Sequence, residues 1–150
     1  MSDQKKELHK LCVDYVLGRM DTAAQAINAA QQAANEETKS SAGDKYETGR
    51  AMMQQDTDRN KAQLNEANKL MVALNHISVS SNSKIALAGS LVITNNGRFY
   101  IAISAGILTL NGEAYFAISP ASPIGLCLNG KEAGDEFSLN GKQYHIEGIF

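Results

Sequence analysis

Asp44 and Glu47 stand three residues apart in NEETKSSAGDKYETGRAMMQ (residues 35–54), a stretch with charges of both signs around a Ser-Ser-Ala-Gly break. Two carboxylates at that spacing suit two chemistries. One is a capping box: an N-cap Asp accepts from the amide three residues on, and the Glu reaches back to the N-cap amide. Negative charge also favours a helix N-terminus, where unpaired N–H groups concentrate positive potential. The other is a share in a divalent-metal site, whose ordinary ligands are carboxylate oxygens. The residues alone leave both open, with capping the simpler. Lys39, Lys45 and Arg50 flank the pair. They serve either as solvated charges at helix ends or as steering charges for an anionic partner.

The elements that must position this pair change character near His76. Before it Gly is sparse, Pro is absent, and Ala, Gln, Asn, Glu and Lys dominate; after it Ile, Val, Tyr and Phe alternate with polar residues and Gly is frequent. That shift predicts helices over 1–76 and a sheet domain over 77–150. Val13, Val16, Met20, Ala23, Ile27, Ala30 and Ala34 recur at alternating steps of three and four. Tyr46, Met53, Leu64, Ala67, Met71 and Leu74 form a second such seam, with Arg50, Thr57 and Asn60 in register. Such steps line one face of each helix. The short segment from Thr38 to Gly43 only has room to reverse the chain, so the helices should be antiparallel neighbours. The prediction is a coiled-coil hairpin whose acidic tip lies near 36–47. Helices of about 30 residues would make an arm on the order of 45 Å long.

The second half predicts a small, mostly antiparallel sheet, and the whole chain an α+β fold. Strand-like runs are Lys84 to Ala88, Ser90 to Thr94, Phe99 to Ser104, Ala114 to Ile118, Glu136 to Leu139 and Gln143 to Ile149. Asn96-Gly97, Asn111-Gly112 and Asn140-Gly141 are tight-turn dipeptides, since both residue types tolerate positive φ. One short helix should interrupt the sheet, capped by Ser122, opened by Pro123 and ended by Asn129-Gly130.

Composition narrows the function classes. The 150 residues carry a net charge of −2, with 43% hydrophobic and 6% aromatic residues and no Trp. A chain without a basic excess does not coat nucleic acid by bulk charge, which argues against direct, sequence-specific DNA binding. No apolar run follows the N-terminal lysines as in a signal peptide. None is long enough for a membrane span. A cytoplasmic location is therefore expected. Cys12 and Cys127 lack CxxC or CxxxH spacing and read as reduced, small apolar residues. His9, His76 and His145 share no ligand spacing, and no nucleotide-binding or hydrolase motif occurs.

The segment ISPASPIGLCLNGKEAGDEFSLNGKQYHIEGIF resembles the C-terminal domain of the bacterial Gre transcript-cleavage factors (GreA/GreB-like elongation factors). The matching residues are Ser122-Pro123-Ile124, Leu128, Gly130-Lys131, Gly134-Asp135, Tyr144 and Ile146, in that order. Gly43-Asp44-Lys45-Tyr46-Glu47 fits the Gly-Asp-x-x-Glu of the family's hairpin tip. After that Glu the family usually has Asn and a second Tyr, where Thr48-Gly49-Arg50 stands here.

The resemblance implies an FKBP-like sheet domain behind a helical hairpin, and an accessory factor rather than an enzyme. It implies that the arm enters the secondary channel of RNA polymerase. There Asp44 and Glu47 would share Mg²⁺ with the polymerase and promote cleavage at the 3′ end of a backtracked RNA. Lys45, Arg50 and the Ser122-Pro123-Ile124 turn would then be partner-binding. Two other readings stay open: a channel-binding regulator without cleavage activity, and a coiled-coil adaptor unrelated to transcription. An FKBP-like isomerase is disfavoured by the missing Trp and sparse aromatics.

Overall fold

The structure, a computed structural model, describes the backbone of residues 2–39, 43–80 and 82–150, and the side chains of residues 3–33, 35, 51–80 and 82–150. Helix α1 (Ser2–Lys39) and helix α2 (Gly43–Asn75) come first. Strands β1 (Leu91–Thr94), β2 (Gly97–Ile101), β3 (Gly106–Leu110) and β4 (Glu113–Ile118) follow. Helix α3 (Pro123–Leu128), β5 (Glu136–Leu139) and β6 (Lys142–Ile149) complete the α+β chain. Two compact units result: Val16–Leu70, and Met1–Tyr15 together with Met71–Phe150.

The unit Val16–Leu70 is the helical hairpin. Its interior follows the two seams: Val16, Ala23, Thr57 and Ala67 are buried, while Met20, Ile27, Ala30, Met53, Asn60 and Leu64 are half-buried. Alanine at two of the buried positions, Ala23 and Ala67, lets backbones approach closely. No proline and few β-branched residues interrupt either helix, which suits their length. Exposed pairs such as Gln25 with Asp21 (2.9 Å) and Lys69 with Glu66 (3.2 Å) add a few tenths of a kcal/mol each.

The other unit is built on a six-stranded sheet in the order β3-β4-β2-β1-β6-β5. One face carries Val92, Phe99, Ile101 and Ile118, which form a core with Ala86, Leu128, Tyr144 and Ile146; Ile124 of α3 packs against it. On the opposite face Leu91, Tyr100 and Ala117 stand in register across three strands. Tyr100 reaches α1 through a hydrogen bond to His9. Lys5, Leu8 and Cys12 of α1 and Leu74 of α2 are all buried within this unit.

Three expectations need correction. Lys84 to Ala88 is not a strand: Ile85 makes a single bridge to Glu132, and Ala86 bonds to Lys131 and Gly130. Its neighbours Leu91–Thr94 already pair on both sides, with β2 and β6, and leave it no edge. The apolar run Gly106–Leu110, not expected as a strand, is β3. Because β3 turns back into β4, β4 runs parallel to β2, so the sheet is mixed. Finally, the first tight turn is Asn95-Asn96, with Gly97 already paired to Thr94. The other two turn dipeptides sit as expected, at φ 53° and 78° for Asn111 and Gly112 and 53° and 80° for Asn140 and Gly141.

Candidate functional site

α2 begins at Gly43, so positions 44 and 47 fall within its opening turns, about 40 Å along the helix from Leu70. Backbone N–H groups in a first turn lack intrahelical partners and attract anions. This is where the sequence places its paired carboxylates. The side chains of Asp44, Lys45, Glu47 and Arg50, and residues 40–42 between the helices, lie outside the described residues.

The second candidate, Ser122-Pro123-Ile124, is built as its sequence suggests. Ser122 caps α3: its Oγ accepts from the Gly125 amide at 3.1 Å and donates to the Ser119 carbonyl at 2.7 Å. Pro123 opens the helix, where its missing N–H has no bond to lose. The hydroxyl proton is therefore committed to the turn, and one of the oxygen's two lone pairs is left over. Ile124 is half-buried against the sheet core, whereas Pro120, Ala121 and Pro123 are exposed. Gly125 is held to its type by contact, because a Cβ there would overlap the Ser119 carbonyl oxygen.

The sequence reading missed Leu126, whose side chain is 66% exposed on this helix. A signal was present: α3 reads PIGLCL, more apolar than a helix covering a core with one face requires. The exposed apolar surface of the turn is thus Pro120, Ala121, Pro123 and Leu126.

Other chemistry-bearing groups have structural roles. Burial pushes the Cys12 thiol up to about 11, which leaves it protonated and unreactive at neutral pH. Arg98 lies 3.4 Å from Glu113 and over the Tyr115 ring at 5.6 Å, tying β2 to β4 on the half-exposed sheet surface. A shallow hollow of about 200 Å³ is lined by Ile93, Glu147, Gly148 and Phe150. Among the described residues no three His, Cys, Asp or Glu side chains converge as a metal site. No described helix is long and apolar enough to cross a membrane.

No family model matches this sequence, and no curated protein matches it. The solved structure of the transcription factor Gfh1 matches over 91% of this chain and 91% of that one, at 19% identity and a TM-score of 0.36. A likeness that slight carries no function from one chain to the other.

Proposed function

We propose that the chain is an accessory factor of bacterial RNA polymerase in the cytoplasm, whose helical arm enters the secondary channel and stimulates cleavage of backtracked transcripts. One observation carries this: Gly-Asp-x-x-Glu begins α2 at the turn of a long two-helix arm. The turn around Ser122 supplies the family-like segment of the other unit. A slender arm that ends in two carboxylates fits delivery of charge into a channel too narrow for a globular domain.

Asp44 and Glu47 offer hard oxygen ligands of the kind Mg²⁺ takes, and two are too few for its octahedral shell. The remaining ligands would come from the polymerase and the RNA phosphate, so the factor holds no ion tightly by itself. When bound, such an ion stabilises developing charge on phosphate oxygens. The carboxylates position it and can orient the attacking water. Lys45 and Arg50 steer the arm toward RNA phosphate, while Pro123, Ile124 and the capped Ser122 turn shape the surface that meets the polymerase.

Thr48-Gly49-Arg50, which departs from the family's continuation, favours a second reading: a regulator that occupies the channel without promoting cleavage. One experiment separates them. Purified protein is added to stalled elongation complexes with Mg²⁺, and both binding to polymerase and release of 3′ RNA fragments are followed. Binding with cleavage, lost in Asp44→Asn and Glu47→Gln, supports the first reading. Binding without cleavage leaves the regulator, and absence of binding removes both.

A further inference from the structure

The two outer strands of the sheet differ in how their free edges are protected. In β5, an edge strand of four residues, Glu136 and the preceding Asp135 bring negative charge, and Glu136 lies 3.3 Å from His145. Charge on a short edge strand is a common guard against pairing with another chain. β3 has no such guard. From Phe99 to Gly112 no residue is charged and none is proline. β3 keeps an unbroken register with β4 over all five of its residues, without a bulge.

The parity of the β3–β4 ladder identifies the free groups. Leu110 and Glu113 flank the two-residue turn Asn111-Gly112, whose residues both have positive φ. In such a hairpin the flanking pair exchanges both backbone bonds, and alternate pairs do so after it. Leu110, Leu108 and Gly106 therefore bond to β4. The N–H and C=O groups of Ile107 and Thr109 point to the open edge. Those residues also have exposed side chains, 64% for Ile107, which stands directly across from Phe116, itself 37% exposed.

We propose that this edge pairs with β3 of a second copy of the chain, antiparallel about a twofold axis through Leu108. That register sets each Ile107 opposite the other copy's Thr109. Both residues of each pair have outward N–H and C=O groups, so each pair exchanges two hydrogen bonds and no donor is left over. The twofold axis stands perpendicular to the sheet and keeps faces matched. Ile107 then meets a β-branched neighbour, and Leu108 meets its own copy on the other face. Self-pairing brings identical residues close together, which like charges would oppose. A strand without charge meets that condition. A chain selected to bind a charged or specific peptide would be expected to place a complementary charge along the edge.

The test uses the full chain. Sedimentation over a roughly hundredfold concentration range should show a monomer–dimer equilibrium. Amide hydrogen exchange at Ile107 and Thr109 should slow as the dimer forms, while Leu108, bonded to β4, stays protected throughout. Thr109→Pro removes only an outward N–H, a position where edge strands tolerate proline. By symmetry it deletes two interchain bonds and should weaken the dimer about ten- to a hundredfold. Ile107→Lys, which leaves the backbone intact, should do so as well if the proline variant folds poorly. A wild-type chain that stays monomeric with fast exchange at both amides overturns the proposal. So does a dimer that both folded variants form with unchanged affinity. Protection of the two amides only on adding polymerase would assign the edge to a strand of that partner instead.

Discussion

His9 Nδ1, in the second turn of α1, shares a hydrogen bond of 2.9 Å with the hydroxyl of Tyr100 on β2, across 91 positions of sequence. The rings also meet edge to face, at 6.2 Å and 87°. Tyr100 is fully buried, and burial pushes its hydroxyl well above the usual tyrosine range, so it keeps its proton. Burial lowers the His9 imidazole below its ordinary value. The contact thus joins two neutral groups at the place where the first helix meets the sheet.

A pH dependence follows. The unfolded chain takes up a proton at His9 near its ordinary value of 6.5, while the folded chain resists until lower pH. Between those values the unfolded state binds more protons, so stability falls as pH drops through 6.5 and levels off below the folded value. Thermal midpoints measured from pH 8 to pH 5 should fall more steeply for the wild type than for His9→Gln. Parallel curves for the two proteins would assign the acid loss to other groups.

Tyr100→Phe keeps the ring and removes the hydroxyl. His9 then loses its partner in a partly buried site, which costs about 1–2 kcal/mol. Denaturant titration should show that loss as a lower midpoint with an unchanged slope. A variant as stable as the wild type would mean that the bond adds nothing net.

The α3 turn should separate a cap from a contact. Ser122→Ala removes the acceptor for the Gly125 amide and should cost about 1 kcal/mol. Gly125→Ala forces a Cβ against the Ser119 backbone and should cost on the order of 3 kcal/mol, in the range of overpacked core sites. Equal effects from the two changes would show that the turn relaxes around the added methyl.

Leu126→Glu alters only exposed apolar surface, and its effect on stability should lie within about 0.5 kcal/mol. If the turn meets polymerase, affinity should drop about tenfold or more, as for a buried apolar anchor. Unchanged binding by this folded variant would remove α3 from the interface.

The helical seams were legible because their period survives in the burial pattern. Each described seam residue, from Val13 to Ala30 and from Met53 to Leu74, is buried or half-buried. The buried stripe at the start of α1 was not, although the helix itself was expected there, because the residue that continues the stripe before Leu8 is Lys5, which is 1% exposed. A lysine among polar neighbours gives no apolar signal. β3 was missed for the opposite reason: Ala105–Leu110 is nearly all apolar, and without alternation a strand looks like any short apolar run. The parallel alignment of β2 with β4 depended on that missing strand. In the candidate site, the Ser122 cap and Pro123 were legible from local rules. The apolar excess of PIGLCL was legible too, but not that Leu126 is its exposed member, since that depends on which face the helix turns to the core.

The unit that holds the sheet draws on the chain both before and after the hairpin unit in sequence, Met1–Tyr15 and Met71–Phe150, with Val16–Leu70 between them. Bringing Tyr100 to His9 in an unfolded chain means closing a very long loop, and such contacts slow folding. Zipping the hairpin first shortens that search, since local helical contacts form far faster than distant strand pairs. Ala23 and Ala67, remote from the sheet in sequence, therefore set how quickly its first helix arrives. Bulky substitutions there should slow refolding of the β-sheet itself, and on a ribosome the N-terminal turn would wait for most of the chain before finding its place.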